Sequence, residues 1–394
     1  MLKISLAAFA IYVSTVVAFS QSVADSSVYK NRKLKAEEVN FVSSYYQQDG
    51  NNSAVTGGIG TEHLTDFATA IDVKFSKYDF LKRKHTLTAE IGIDAYTSAS
   101  SDKIDPNTIS SASASDQRIY PSVTYAITNE QKGSTISING SLSTEYDYFS
   151  KGLSLGWSKL SKDRNREFSV KGLVFLDTWT VILPIELRTN GRKENGTKPR
   201  NSYSTTFTLS QVLTKRLQML LLADVAYQDG QLATLFHRTY FTDGTHKVEN
   251  LPSTRFKLPL GIRLNYFLGD RVIFRSYYRY YQDNWGLVAH TAELEVPIKI
   301  TPFFSISPFY RYYKQEGVKY FAGYQQHSLN EEFYTSDYDL STLTSNMIGM
   351  GIRYAPPGGL MGVSKFNALE LRYGSYQRST GLNSNIVTLL LKFK

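Results

Sequence analysis

The chain has 394 residues, 13% of them aromatic with 28 tyrosines, a formal charge of +9 and no cysteine. The missing cysteine excludes disulfides, thiolate metal sites and a lipid anchor on a mature N-terminal Cys. A mean hydropathy of −0.28 is too polar for a helical membrane protein, but it suits a barrel in which alternate residues meet lipid.

In chain order, the first predicted element is an export signal. Lys3 precedes an uncharged apolar run, Ile4 to Phe19, and Ala18-Phe19-Ser20 has the small-x-small form of a cleavage site. Residues 1–20 are expected to be a signal peptide, 21–37 a lysine-bearing periplasmic lead-in, and 38–394 one outer-membrane barrel. Export removes nucleic acid as the explanation of the positive charge.

From there on the signal is alternation with a period of two. Phe67, Thr69, Ile71, Val73 and Phe75 oppose Ala68, Ala70, Asp72, Lys74 and Ser76. Leu87, Ala89, Ile91, Ile93 and Ala95 oppose Thr88, Glu90, Gly92 and Asp94. Ile136, Ile138, Leu142, Tyr146 and Tyr148 oppose Ser137, Asn139, Ser141, Glu145 and Asp147, which predicts one long strand over 134–148. Later, Leu258, Leu260, Ile262 and Leu264 oppose Lys257 and Arg263, and Val272, Phe274, Tyr278 and Tyr280 oppose Arg275 and Arg279. Val387, Leu389, Leu391 and Phe393 close the series.

The segments add up to an all-β fold, a transmembrane antiparallel β-barrel of about sixteen strands, an even number as single-chain barrels require. The strands are predicted near 38–47, 67–76, 85–97, 117–127, 134–148, 152–160, 167–177, 203–213, 216–228, 254–266, 271–282, 288–298, 302–313, 343–354, 364–376 and 385–393. The segment at 167–177 fits least well, because Leu173 and Phe175 share a parity with Glu167 and Lys171. With the N-terminus in the periplasm, every long connection (48–66, 98–116, 178–202, 229–253 and 314–342) falls on the outer side. The periplasmic turns stay short, which is the outer-membrane pattern.

Charges of lumen parity are sorted along the chain. Early strands carry Asp72, Glu90, Asp94, Glu145 and Asp147, with Lys74 and Arg118 as exceptions. Late strands carry Arg263, Arg275, Arg279, Arg311, Arg353 and Arg372, with Glu293, Glu295 and Glu370 among them. Two walls of opposite sign would set a transverse field across a water-filled passage and select among dipolar or anionic solutes. The alternative is a lumen filled by side chains in which Arg–carboxylate pairs neutralise one another.

Tyr45, Tyr125, Tyr146, Tyr148, Trp157, Tyr227, Tyr278, Tyr280, Tyr310 and Tyr312 are predicted to form an interfacial girdle. Acids of the Ser100–Asp116 loop (Asp102, Asp105 and Asp116) lack metal-loop spacing, and His63, His85, His237, His246, His290 and His327 form no pair at ligand spacing. No metal or cofactor is therefore expected. Asp283 and His290 flank a short outer loop and, with Ser276 or Ser375, are the residues a rim hydrolase would use; nothing in their spacing singles them out.

Several segments resemble one family: Ser110-Ser111-Ala112-Ser113-Ala114-Ser115-Asp116-Gln117-Arg118, Tyr146-Asp147-Tyr148, Tyr278-Arg279-Tyr280-Tyr281-Gln282-Asp283-Asn284-Trp285-Gly286 and Ser336-Asp337-Tyr338-Asp339-Leu340-Ser341. The family is the uncharacterised outer-membrane barrels described as domain of unknown function 3570. The resemblance implies the barrel and its location, and it implies no activity or catalytic residue.

The expectation is a porin-like channel of a Gram-negative cell outer membrane that passes small polar or anionic solutes. The rivals are a plugged structural barrel that scaffolds a partner protein, and a rim-located hydrolase. Expected partners are outer-membrane lipid and lipopolysaccharide, the barrel-assembly machinery and small solutes, with no nucleic acid; a protein partner cannot be named.

Overall fold

Alternating sequences close into a barrel when each strand finds two antiparallel neighbours and no edge is left over. A computed structural model of the protein describes residues 33–97, 115–188 and 196–394, and among them lie sixteen barrel strands. They are β1 (Lys35–Asp49), β2 (Leu64–Tyr78), β3 (Lys84–Thr97), β4 (Ser115–Asn129), β5 (Ser134–Thr144), β6 (Tyr148–Leu160), β7 (Arg166–Thr180) and β8 (Thr197–Thr214). The second half comprises β9 (Leu217–Gly230), β10 (Thr254–Leu268), β11 (Val272–Asp283), β12 (Val288–Glu295 with Ile298–Lys299), β13 (Phe304–Glu316), β14 (Leu343–Tyr354), β15 (Phe366–Arg378) and β16 (Asn383–Phe393).

Each strand pairs with its successor, and β1 pairs with β16 from Val39↔Phe393 to Asp49↔Asn383, which closes the sheet. Pro297 interrupts β12 because it has no N–H to donate; the register resumes at Ile298↔Ile306. Three bulges, at Ala36/Glu38, Val212/Thr214 and Phe366/Ala368, all fall at the short-turn end, where they end the pairing. The signal peptide, the Ser/Ala-rich segment up to Ala114 and the Asp102 and Asp105 loop lie outside the described residues.

The ladder fixes which residues share a face. On the outward face the mid-strand positions carry no Asp, Glu, Lys or Arg. Charged residues of that parity, such as Asp49, Lys77, Lys151, Lys159, Asp229 and Lys314, sit near strand ends. Ile136 is 64% and Ile348 65% exposed, an apolar surface that only a hydrocarbon environment stabilises.

One sequence expectation changes. The segment 134–148 is not one strand. Glu145–Asp147 form a tight turn, closed by Glu145 N–H donating to the Tyr148 carbonyl, and β6 begins at Tyr148. The turn resets the parity, so Tyr148 faces inward, where its hydroxyl donates to Asp177 at 2.5 Å. It is not a girdle residue. The segment at 167–177 is a full strand, β7, as expected; its inward face mixes Glu167, Lys171 and Asp177 with Leu173 and Phe175, which is why the alternation there is weak. Its inward Phe175 packs over Gly152 of β6, where an added Cβ would lie 2.6 Å from the ring.

Candidate functional site

The inner wall is built from small residues and charges, and glycine sets its relief. Gly92 stands opposite Tyr120, Gly152 opposite Phe175 and Gly349 opposite Phe309, and at each the ring lies where a side chain would otherwise be. Aromatic rings laid over cross-strand glycines line the inner wall.

The charged residues foreseen from sequence all face inward or sit at the rim. On the acidic side, Asp72 accepts from Asn40 Nδ2 at 3.0 Å and stands opposite Glu90 in the ladder. Asp94 accepts from Arg118 Nε at 2.9 Å and from the Tyr120 hydroxyl at 3.2 Å. Glu145 accepts from Tyr96 at 2.6 Å. Asp147 is buried in the rim turn, and that burial pushes its carboxyl up to about 6.

On the basic side, half of the arginines are matched by carboxylates. Arg275 pairs with Glu295 at 3.3 Å and Arg311 donates to Glu293 at 2.7 Å. Arg372 reaches Glu295 at 2.9 Å and Glu370 at 3.4 Å. Its path along the wall crosses Gly351 and Phe309, whose ring centre is 5.0 Å from the guanidinium. Among the described residues, Arg263, Arg279 and Arg353 make no ion pair within 4.0 Å; Arg263 instead lies over the Tyr277 ring at 5.2 Å. Arg263, Asn265, Arg275, Tyr277, Glu293 and Glu295 surround a recess of about 250 Å³.

In a sixteen-strand ring β3 lies diametrically across from β11, so Glu90 and Asp94 face the wall that bears Arg275 and Arg279. Arg353 and Arg372, on β14 and β15, lie instead near the acidic strands β1 and β2. The residues imagined for a hydrolase are not brought together. Asp283 faces inward, held by Arg255 Nε (2.9 Å), the Tyr281 hydroxyl and the backbone N–H groups of Trp285 and Leu287. His290 faces outward and shares a hydrogen bond of 2.7 Å with Tyr278, while Ser276 and Ser375 have outward parity.

The outer mouth carries the largest structure that alternation could not reveal. Loops 50–63, 181–188, 231–253 and 317–342 pack into a cap. Arg238 donates to both Glu186 oxygens (2.6 and 3.2 Å) and to the Val55 carbonyl (2.9 Å). It thereby joins the loops that follow β7, β9 and β1. Because β1 and β9 are diametrically opposed, this contact crosses the mouth.

The cap has its own core. Phe241, His327, Thr239 and Thr335 are fully buried, Phe241 packs edge-on against Tyr334 at 4.9 Å, and backbone bridges join Phe241 to His327 and Asn250 to Tyr334. A second cluster gathers Trp285, Leu287, Leu251 and Val318. Beneath the cap a cavity of about 590 Å³ lies between loop residues Glu62, His237, Asp337 and Asp339 and the inward Tyr46, Arg311, Tyr376 and Arg378.

This cavity is electrostatically biased. Burial, reinforced by Asp339, raises the Glu62 carboxyl to about 7, and the same causes raise Asp337 to about 6. His237, Glu249 and Asp337 bring ligating atoms within 4.8 Å of one another, a grouping that sequence spacing did not reveal.

A closed sheet with an apolar outer face, a charged inner face and a capped mouth defines a transmembrane β-barrel. The chain belongs to the family described as Protein of unknown function (DUF3570), whose model matches residues 3–385. Solved structures similar to it include the outer membrane protein OpdK of Pseudomonas aeruginosa (8% identity, 93% of this chain and 99% of that one, TM-score 0.44). OccD3 (OpdP) of the same organism gives 8% identity over 95% and 96% with a TM-score of 0.45. A BenF-like porin from Pseudomonas fluorescens Pf-5 gives 9% over 93% and 100% with a TM-score of 0.43. A comparison with curated proteins finds no match. At such identities, function has to be argued from this chain's own residues.

Proposed function

We propose that this protein is an outer-membrane channel for small polar solutes, with a preference for anions and with access regulated by its cap. The observation that carries the reading is the inner wall. Among the described residues Arg263, Arg279 and Arg353 have no carboxylate oxygen within 4.0 Å, on a surface whose aromatic rings lie against glycine. Unpaired guanidinium groups on a water-facing wall attract anions and pass them from site to site.

The reading includes export by the leader, delivery to the barrel-assembly machinery, and loops that meet lipopolysaccharide at the cell surface. One specific observation favours a second reading, a plugged barrel that scaffolds a partner protein. The loop contacts made by Arg238 span the mouth, and Phe241, His327, Thr239 and Thr335 of the cap are fully buried.

Planar-bilayer recording of the refolded protein separates the two. Stepwise currents with a reversal potential favouring chloride over potassium are expected of the channel. A barrel that inserts and stays silent, with or without its cap, would defeat the channel reading and favour the scaffold.

A further inference from the structure

We propose that the cap holds a divalent transition-metal ion between His237 and Glu249 of the β9–β10 loop and Asp337 of the β13–β14 loop. Three observations carry it, and none depends on whether the barrel conducts.

The first is an orphaned donor. Among the described residues His237 Nδ1 is buried and accepts or donates no hydrogen bond; its nearest acid oxygen, Glu249 Oε1, stands 3.7 Å away, an ion-pair contact that is longer than a hydrogen bond. A buried nitrogen left unsatisfied costs free energy unless something occupies the space before it.

The second is that the carboxylates are already held in place. The Glu249 side chain is 3% exposed, and it is fixed by the Thr234 N–H on Oε2 (2.6 Å) and the Thr335 hydroxyl on Oε1 (2.5 Å). Asp337 Oδ1 accepts from the Asp339 N–H at 2.9 Å, which orients the other oxygen. Such supporting bonds are what aim metal ligands.

The third is the donor set. One imidazole nitrogen and two carboxylates within 4.8 Å suit zinc and its neighbours, whose bonds of about 2.0–2.2 Å bring ligands to within roughly 3.3 Å of each other. Calcium would demand six or more oxygens. An ion here offsets the buried Glu249 carboxylate and the partly buried Asp337 carboxylate, ties the β9–β10 loop to the β13–β14 loop, and leaves an open coordination position toward the 590 Å³ cavity that His237 and Asp337 line.

The test is competition with a chromophoric zinc indicator, using the full-length protein folded in detergent micelles. One zinc per barrel is expected. His237→Gln and Asp337→Asn should each weaken binding on the order of 100-fold, while Asp243→Asn, at the exposed hairpin tip, binds as the parent does. Heat-modifiable gel migration verifies that each variant is folded, and the two ligand variants are read separately should one fail. Zinc should also slow proteolytic cleavage within 231–253 and 317–342 in the parent protein and in neither ligand variant. A parent barrel that takes up no zinc at micromolar concentration, or folded His237 and Asp337 variants that bind it unchanged, overturns the proposal.

Discussion

Gly349 shows how a single atom shapes the wall. A Cβ there would stand 2.2 Å from the Tyr373 carbonyl and 2.4 Å from the Phe309 ring, and the backbone contact cannot be relieved by a rotamer change. Gly349→Val should destabilise the barrel by about 1–3 kcal/mol, read as a lower urea midpoint of the refolded protein. Glu62 supplies a second residue-scale effect. Its carboxyl, held at about 7 by burial and by Asp339 and Asp337 against the opposing Arg378 and His237, binds its proton more tightly folded than unfolded. Such a group costs nothing below its unfolded pKa near 4.5, and it removes stability as pH rises from there to about 7. Amide protection in loop 50–63, taken relative to the intrinsic exchange rate at each pH, should therefore fall between pH 5 and pH 7.5. Glu62→Gln should flatten that dependence; an unchanged slope in the variant would remove Glu62 as its source.

Among the strands, the useful contrast lies on one element. Arg275 and Arg279 share the inward face of β11, but Glu295 compensates the first and, among the described residues, no carboxylate lies within 4.0 Å of the second. Reversal of Arg279 to Glu should shift the reversal potential toward cations more than the same change at Arg275. The reason is that the Arg275 charge is already partly cancelled by Glu295 at the inner wall. Equal shifts would mean that the pairs do not persist in the conducting protein. The strands themselves were legible in the sequence because period-two patterning is a local property, readable within ten residues. The misreading of 134–148 has an equally local cause. The tight turn Glu145–Asp147 keeps the alternation of polar and aromatic residues while it reverses the chain, so the pattern ran on through Tyr148.

For the molecule as a whole the decisive element is the cap. The Val318 N–H donates to the Leu340 carbonyl, so the stalk of the longest loop is already closed at its base. Excision of 319–339 with a short Gly-Ser bridge should leave the barrel folded and raise its single-channel conductance; an unchanged conductance would show that this loop does not restrict passage. The same excision removes Asp337 and should abolish zinc retention, which links the regulatory and metal readings without making either depend on the other.

The amino-acid sequence by itself determined strand number, the parity of the charges that lie within strands (Glu145 and Asp147, in a rim turn, excepted), and the division into long and short connections. Each of these follows from hydrophobic periodicity and chain reach, quantities that need no knowledge of distant residues. Only the tertiary structure decided that Arg275, Arg311 and Arg372 are matched while Arg279 and Arg353 are not, and that loops from opposite walls interlock through Arg238. It alone placed His237 and Glu249 beside Asp337, which follows them by about one hundred and about ninety positions in the chain. Loop contacts carry no period, and an ion pair depends on rotamers and register across several strands. Their partners are set by the closure of the sheet, a property of the whole ring that no local window of sequence contains.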